Sequence, residues 1–214
     1  QDKLIALKEK RIAEKKQQKK YLMQQLLTGK KRLPGFTSEW KMIKLGECCE
    51  IIKGDQLNKN TLKTDGEFYV LNGGITPSGY VDKWNVLENT ISISEGGNSC
   101  GFVNYNKTKF WSGGHNYTLQ NIGECILNLY LYQFLKANEN NIMDLRVGSG
   151  LPNIQKEALL NFKVFIPNLF EQQGIADILS QADQEIELLQ KDLEEEKNKK
   201  KALMQLLLTG IVRV

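Results

Sequence analysis

The sequence predicts an α+β fold in which a globular domain with both helices and strands sits on an antiparallel stalk of two long, coiled-coil-like α-helices. Three observations predict it. Nearly the same eight residues occur close to both ends of the chain, LMQQLLTG at 22–29 and LMQLLLTG at 203–210. A helical pattern precedes each of these segments. Between them, short β-rich runs alternate with turn residues.

The first helix is predicted within residues 1–33. Aliphatic residues recur there at the three-and-four spacing of a coiled-coil seam, although lysines occupy several of the intervening seam positions. Thr28 and Gly29 end the pattern, and the basic segment that follows contains Pro34 as a helix breaker. The seam comprises Ile5, Ile12, Leu22 and Leu26, with Lys8, Lys15 and Lys19 between them.

The repeat extends beyond the eight matching residues. Further identities upstream keep a constant offset of 181 positions, as in Asp2 and Asp183 or Lys19 and Lys200. Two copies separated by an unrelated middle are too few for a solenoid, whose units must stack on their neighbours. We therefore interpret the repeat as one structural part that is used twice.

Residues 34–167 are predicted to form a globular head with an α+β or mostly β fold. Short runs rich in β-branched and aromatic residues are separated by Gly, Asn and Pro, which is typical of strands joined by turns. Residues 125–137 instead show a helical spacing of Leu and aromatic residues. The predicted strands cover residues 41–45, 51–52, 68–71, 90–94, 101–105 and 162–166.

The second helix is predicted within residues 168–214. Asn168 and Glu171 form a capping box at its start, and Thr209-Gly210 closes it. The chain enters the head at the C-terminal end of the first helix and leaves it at the N-terminal end of the second, so helices that pack together must be antiparallel. The seam comprises Leu179, Ala182, Ile186, Leu189, Leu193, Leu203 and Leu207, with Glu196 and Lys200 interrupting it.

Composition argues against several classes of protein. No long apolar run occurs, so we predict neither a membrane span nor a secretory signal. Cys48, Cys49, Cys100 and Cys125 lack C-x-x-C spacing, and His115 is the only histidine that could help them bind a metal. We therefore predict reduced thiols, a cytoplasmic location, no metal and no other cofactor.

The net charge of +4 is distributed unevenly along the chain. Residues 1–33 carry 11 basic and 3 acidic side chains, whereas residues 34–181 carry 12 basic and 15 acidic ones. The excess positive charge therefore lies on the first helix and the segment after it. Nucleic-acid binding by the head would depend on local patches of its surface.

Motifs for catalysis are scarce. The chain has no Gly-x-x-x-x-Gly-Lys-Ser/Thr phosphate loop, and none of its prolines adjoins another, as the Asn/Asp-Pro-Pro-aromatic loop of amino-methyltransferases requires. His115 lies in a turn-like segment, where a structural or ligand-contacting role is favoured over general-base catalysis. An enzyme centred on His115 is the lesser alternative.

Residues 98–117 interleave basic, amide and aromatic side chains. Amides can bond to adenine edges, lysines can contact guanine or phosphate, and planar rings can pack on sugars or bases. The same mixture also suits the polar loop rim of an ordinary β domain. Residue types alone leave both interpretations open.

Several motifs resemble the specificity subunits of type I restriction-modification systems. EWK-x-x-KLGE at 39–47 and IIKG at 51–54 are similar to the start of a target-recognition domain in that family. ISIS at 91–94, GFVNY at 101–105, F-x-SGGH at 110–115 and GSGLPNI at 148–154 are similar to its central part. FIP-x-x-x-EQQ-x-IA-x-IL at 165–179 and K-x-LMQ-x-LLTG at both helix ends resemble the entry and the close of its spacer helix.

This resemblance implies a half-length specificity subunit. In the family, each target-recognition domain recognises one half of a bipartite site in double-stranded DNA, and two antiparallel spacer helices separate two such domains. The subunit is non-catalytic, methylation subunits dock on its helices, and restriction subunits join through the complex. One recognition domain is present here, so either the helices pair within one chain or two chains form a homodimer. A coiled-coil protein-interaction adaptor without DNA specificity is the alternative.

We predict DNA contacts at ten residues of the head. Lys107, Lys109 and Arg146 would bind phosphate or guanine. The base edges or the groove surface would be contacted by Asn98, Ser99, Asn104, Tyr105, His115, Asn116 and Asn153.

Overall fold

The computed structural model describes residues 1–148 and 150–209. Two long helices, α1 (Asp2–Leu26) and α6 (Leu169–Leu208), flank the head. The strands of the head are β1 (Lys41–Lys44), β2 (Glu50–Lys53), β3 (Phe68–Leu71), β4 (Gly79–Val81), β5 (Thr90–Ser94), β6 (Val103–Asn106), β7 (Trp111–Ser112), β8 (Asn116–Gln120) and β9 (Lys163–Ile166). Its short helices are α2 (Leu45–Cys48), α3 (Asn128–Ala137), α4 (Glu139–Met143) and α5 (Lys156–Leu160).

These elements confirm the predicted α+β fold on a helical stalk. All six predicted strands are present, and the predicted helix at 125–137 begins three residues later, at Asn128. Strands β4, β7 and β8 were not predicted. Within the described residues, no helix combines the length and the apolar composition that crossing a membrane would require.

The strands form three sheets. The main sheet has the order β2-β8-β5-β6, a smaller one has the order β4-β3-β7, and β1 pairs with β9. The pairing of β3 with β7 is parallel, and the others are antiparallel. Alternate residues of β5 are Ile91 and Ile93 on one face and Ser92 and Ser94 on the other, and all four are buried. The central strand is therefore covered on both faces.

The main hydrophobic core joins the head to both helices of the stalk. Leu27, just after α1, and Leu179 of α6 pack into the same cluster as Ile91 of the main sheet and Tyr130 of α3. Burial of apolar surface is the main force that fixes one element against another. The stalk is therefore attached to the head by core packing rather than by a linker alone.

The start of α6 shows where the predicted capping box is only partly correct. The Asn168 side chain accepts a hydrogen bond from the backbone N–H of Glu171 at 3.0 Å, as an N-cap residue should. The Glu171 carboxylate is fully buried and instead accepts from the Arg32 guanidinium at 2.6 and 2.7 Å and from the Trp40 indole at 3.3 Å. Tertiary partners have replaced the local one, and the hydrogen bond that Arg32 donates to Glu171 raises the pKa of Arg32.

Helices α1 and α6 are antiparallel, as predicted. Ion pairs join them along their length, and the residue numbers rise on one helix as they fall on the other. The lysines predicted to lie in the α1 seam supply three of these pairs. From the head outward the pairs are Lys19–Asp183 (2.5 Å), Lys15–Glu185 (2.8 Å), Lys8–Asp192 (2.8 Å) and Asp2–Lys200.

Most residues of the predicted seam are buried or half-buried in the structure. Ile12, Leu26, Leu179, Ile186 and Leu193 are buried, and Ile5, Leu22, Ala182 and Leu189 are half-buried. Leu203 and Leu207 were wrongly predicted to pack, since they are 49% and 47% exposed. The reason is geometric: Asp2 begins α1 opposite Lys200, so α6 extends past its partner. Thr209 caps α6, and Gly210 lies outside the described residues.

Candidate nucleic-acid interface

An open polar cleft of about 590 Å³ lies at one edge of the head. Its walls come from the ends of β2, β3 and β5, from the turn before β8 and from residues 151–153. Three residues predicted to contact DNA, Asn98, His115 and Asn153, line this cleft. Folding thus brings together side chains that are far apart in the sequence.

Pairing within the main sheet positions two of these walls. Ser94 at the end of β5 lies opposite Asn116 at the start of β8, so the residues just beyond the sheet, Glu95 and His115, are neighbours. The backbone N–H of Glu95 donates to the carbonyl of His115 at 2.9 Å. Asn153 forms a β-bridge with Gly96, which brings the third wall against the same edge.

A buried carboxylate organises the cleft. Glu95 is only 8% exposed, and its Oε1 accepts from Lys53 Nζ at 2.6 Å and from the Tyr117 hydroxyl at 3.1 Å. Burial, together with the charge of Glu95, raises the pKa of Tyr117 to about 12, so this hydroxyl stays protonated and can donate. His115 Nδ1 lies 3.6 Å from Glu95 Oε2, and the His115 side chain is 64% exposed. The carboxylate therefore holds Lys53 and His115 beside open space.

The cleft floor requires a glycine at position 73. Gly73 has a φ of +81°, a conformation that side chains with a Cβ rarely adopt. A Cβ there would lie 2.9 Å from the carbonyl oxygen of His115. The Ser94 hydroxyl donates to the Gly73 carbonyl, which fixes the loop after β3 against the main sheet.

Two further predicted residues lie near the cleft, and a third lies elsewhere. Ser99 ends the 3-10 turn Gly97–Ser99 at the cleft wall. Arg146 lies close to Cys100, the residue after Ser99. Burial raises the pKa of the Cys100 thiol, and the positive charge of Arg146 opposes that rise. Lys109 instead lies over Trp84 in the segment between β4 and β5, with its Nζ 4.5 Å from the centroid of the Trp84 ring.

The predicted residues on and after β6 have partners outside the cleft, in the head and on the stalk. Tyr105 packs on Tyr132 of α3, with ring centroids 5.2 Å apart, and Asn104 donates to the Asn106 carboxamide at 2.9 Å. Lys107 forms an ion pair with Glu187 of α6 at 2.8 Å. The structure therefore separates these residues from the cleft, although they are close to Asn98 and His115 in the sequence.

Asn116, which was predicted to contact DNA, is buried in the structure. It is only 3% exposed, and its Nδ2 donates to the Ser112 hydroxyl at 3.0 Å. Asn116 is the first residue of β8, and the first four residues of this strand are all buried. The hydrogen bond of this amide therefore joins β8 to β7.

Comparison with known proteins assigns the family. Residues 37–197 match the family described as "Type I restriction modification DNA specificity domain". The chain belongs to this type I specificity family. A type I specificity subunit of Mycoplasma genitalium is 34% identical over 152 residues, which cover 70% of this chain and 39% of the relative.

Solved structures agree with this assignment. The crystal structure of a type I restriction-modification S subunit from M. genitalium superposes with a TM-score of 0.72 at 30% identity, covering 78% of this chain and 45% of the other. A chain from a structural study of type I complex assembly shares the fold, with a TM-score of 0.63 at 22% identity, over 95% of this chain and 54% of the other. The chain therefore spans between about two fifths and just over one half of the length of these proteins.

Sequence reasoning missed two cleft residues of this specificity domain. Lys53 and Asn72 both line the cleft, yet neither was proposed as a DNA contact. Lys53 belongs to the IIKG segment that resembles the start of a recognition domain, and that segment was the available signal. Asn72 directly follows the buried end of β3, where its side chain accepts from the backbone N–H of His115 at 3.1 Å.

A larger groove, of about 870 Å³, lies where the head meets the stalk. Its lining is mainly apolar and includes Leu27, Trp40, Phe134 and Phe165. Arg32 and Lys163 also line it, but the large apolar share of its surface suits protein more than DNA. Among the described residues, no group of three or more His, Cys, Asp or Glu side chains is arranged to hold a metal ion.

Proposed function

We propose that this chain is the non-catalytic DNA-recognition component of a type I restriction-modification complex, acting in the cytoplasm. Its head would recognise one half of a bipartite site in double-stranded DNA. The observation that carries the proposal is the convergence of Lys53, Asn72, Asn98, His115 and Asn153 in one open polar cleft.

The chemistry of the cleft suits base edges and phosphates. Asn98 and Asn153 offer amides, which can both donate to and accept from adenine in the major groove. His115 and Lys53 supply donors at the same edge, and Lys53 already offsets the charge of Glu95. The net negative charge of the head therefore does not by itself prevent DNA from binding in the cleft.

The stalk would act as a spacer between two recognition domains. Helix α6 has 40 residues, which at about 1.5 Å per residue makes a rod of about 60 Å. Core packing at one end and ion pairs along its length hold α6 against α1. Such a rod can keep a fixed distance between two half-sites.

The outer faces of the stalk would dock methylation subunits, and restriction subunits would join through that complex. The repeat keeps the same exposed residues on both helices, including Leu7 at 63% and Leu188 at 68% exposure. Packing within the stalk does not require identity at solvent-facing positions, and exposed leucines favour contact with protein. Identical residues are exposed in both copies at six positions: Leu7 and Leu188, Lys10 and Lys191, Glu14 and Glu195, Lys20 and Lys201, Gln24 and Gln205, and Thr28 and Thr209.

The proposal is tested by DNA binding with three cleft residues replaced together. A randomised duplex library is first enriched on the wild-type chain, and affinity for the enriched duplex is then measured by fluorescence anisotropy at several salt concentrations. Asn98→Ala/His115→Ala/Asn153→Ala is expected to lose about 1–3 kcal/mol of binding for each genuine base contact and to relax the sequence preference. Wild-type affinity should fall steeply with salt, because binding releases counterions.

The matched control is Lys107→Ala, which removes a charged side chain that pairs with the stalk. It should leave affinity and sequence preference unchanged. If Lys107→Ala weakened binding while the cleft variant did not, DNA would lie along β6 and the cleft assignment would be wrong. Enrichment of no sequence, together with affinity independent of salt, would favour the protein-interaction adaptor instead.

A further inference from the structure

A lysine and a nearly buried carboxylate form an ion pair at the polar cleft. Lys53 ends β2 opposite Tyr117 of β8, and Glu95 directly follows β5. Glu95 Oε1 accepts from Lys53 Nζ at 2.6 Å and from the Tyr117 hydroxyl at 3.1 Å. The Lys53 side chain is 51% exposed, whereas that of Glu95 is 10% exposed. The charged end of the lysine is therefore held at the cleft by a carboxylate that is itself shielded from water.

The shielding of Glu95 decides how firmly Lys53 is held. The pair of Lys107 and Glu187 is almost as short, at 2.8 Å, but both of its side chains are 68% exposed. Water and salt screen such a pair, which therefore contributes little. Glu95 is largely shielded from water, and Tyr117 fixes the same oxygen with a second hydrogen bond. Lys53 is therefore held in one direction, although a lysine stem is ordinarily flexible.

This part of the cleft offers hydrogen-bond donors to a ligand. An ammonium group has three N–H donors and no acceptor, and among the described residues Glu95 takes one of the three on Lys53. Asn72, in the same cleft, adds further donors. Its Oδ1 accepts from the backbone N–H of His115 at 3.1 Å, which fixes which end of the amide is oxygen. The Asn72 Nδ2 group is therefore the end that is left to donate.

Guanine is the base that matches a pair of adjacent donors. Its major-groove edge offers two acceptors, N7 and O6, whereas adenine places a donor beside its one acceptor. Thymine offers one acceptor and a methyl group, and cytosine offers a donor. A lysine can donate to N7 and O6 of one guanine together. The two remaining donors of Lys53 therefore favour guanine over the other three bases.

We propose that Lys53 recognises a guanine in the major groove of the half-site, and that Glu95 is the positioning residue that makes this contact specific. The inference rests on the proposed function, because it names the base that the same cleft contacts. Glu95 offsets the charge of Lys53, so the pair attracts phosphate only weakly. The two remaining donors keep a fixed position. Lys53 is therefore suited to one base edge, whereas an unpaired lysine binds any phosphate.

Modified bases test this contact in the wild-type chain, without any substitution. A duplex is enriched from a randomised library, and each of its guanines is replaced in turn by 7-deazaguanine, which lacks the N7 acceptor. Fluorescence anisotropy measures the affinity of each duplex. At one position the replacement is expected to lower affinity about 10-fold, because a hydrogen bond from a charged donor is lost. Inosine at that position keeps N7 and O6 and lacks only the minor-groove amino group, so it should bind like guanine.

Replacement of the lysine connects this guanine to Lys53. Lys53→Met keeps an unbranched side chain and removes all three donors. It is expected to lower affinity for the enriched duplex about 5-fold to 150-fold and to abolish the penalty for 7-deazaguanine. The matched control is Lys41→Met, at an exposed lysine of β1 outside the cleft. This control should retain the penalty in full and nearly all of the affinity.

The positioning role of Glu95 predicts opposite changes for two duplexes. Glu95→Gln keeps the size of the side chain and removes its charge. The preference for guanine at the sensitive position should fall about 5-fold or more, because Lys53 is no longer held. Affinity for a duplex of unrelated sequence should rise, because a negative charge near the phosphates is gone. A fall in affinity for both duplexes, in a variant whose circular dichroism is unchanged, would refute the positioning role.

Three results would overturn the contact with guanine and leave the proposed function standing. Affinity unchanged by 7-deazaguanine at every position would show that no guanine N7 is contacted. A penalty that persists in Lys53→Met would assign the guanine to another residue. Equal weakening of all duplexes by Lys53→Met would indicate a phosphate contact. In each case, loss of sequence preference in Asn98→Ala/His115→Ala/Asn153→Ala would still support recognition by the cleft, whereas enrichment of no sequence would refute both proposals.

Discussion

The repeat provides an internal control for the energetics of the stalk. Leu27 and Leu208 occupy equivalent positions in nearly identical segments, yet Leu27 is 2% exposed and Leu208 is 82% exposed. Leu27→Ala removes buried methyl groups and leaves a cavity, which typically costs about 2–5 kcal/mol of the free energy of unfolding. Leu208→Ala removes groups already in water, and a change within about 0.5 kcal/mol is expected.

Thermal and urea unfolding, followed by helical circular dichroism, measure this difference. In a chain of this size, about 1 kcal/mol corresponds to 2–4 °C in Tm, so Leu27→Ala should lower Tm by roughly 4–20 °C. Leu208→Ala should leave Tm nearly unchanged. Equal effects of the two substitutions would refute the claim that the first repeat is part of the core and the second is not.

Two further predictions concern the start and the outer faces of the stalk. Asn168→Ala removes the side chain that accepts a hydrogen bond from the Glu171 N–H. It should lower the free energy of unfolding by about 1 kcal/mol, which urea unfolding would show as a lower midpoint with an unchanged slope. An unchanged midpoint would show that the cap does not stabilise α6. Leu7→Asp/Leu188→Asp should abolish co-purification with a methylation subunit, whereas Gln17→Asp/Asn198→Asp, at another pair of exposed equivalent positions, should retain it. Loss of binding in both variants would mean that docking follows charge rather than these leucines.

Local patterns in the sequence were sufficient to predict most of the helices and strands. The predicted strands at 68–71 and 90–94 are present because β-branched and aromatic residues there are bounded by turns. Strand β8 was missed because Asn116 and Thr118 make it look polar, although both are buried in the structure. Their hydrogen-bond partners, such as Ser112 for Asn116, come from other parts of the chain.

The candidate site was only partly predictable for the same reason. Asn98, His115 and Asn153 were identified from residue type, and they converge because β5 pairs with β8 and residue 153 bridges to Gly96. Nothing local distinguishes them from Lys107, which pairs with the stalk, or from Asn116, which is buried. Lys53 was overlooked because its importance depends on Glu95, 42 positions away.

The sequence by itself determined the helices, their antiparallel sense and the duplication of one segment near both ends of the chain. These properties follow from short-range spacing and from connectivity, which do not depend on distant contacts. Only the tertiary structure decided which copy of that segment is buried, which lysines pair across the stalk and which polar residues share a cleft. Burial and ion pairing depend on distances between residues far apart in the chain, and nearly identical local sequences can therefore end in opposite environments.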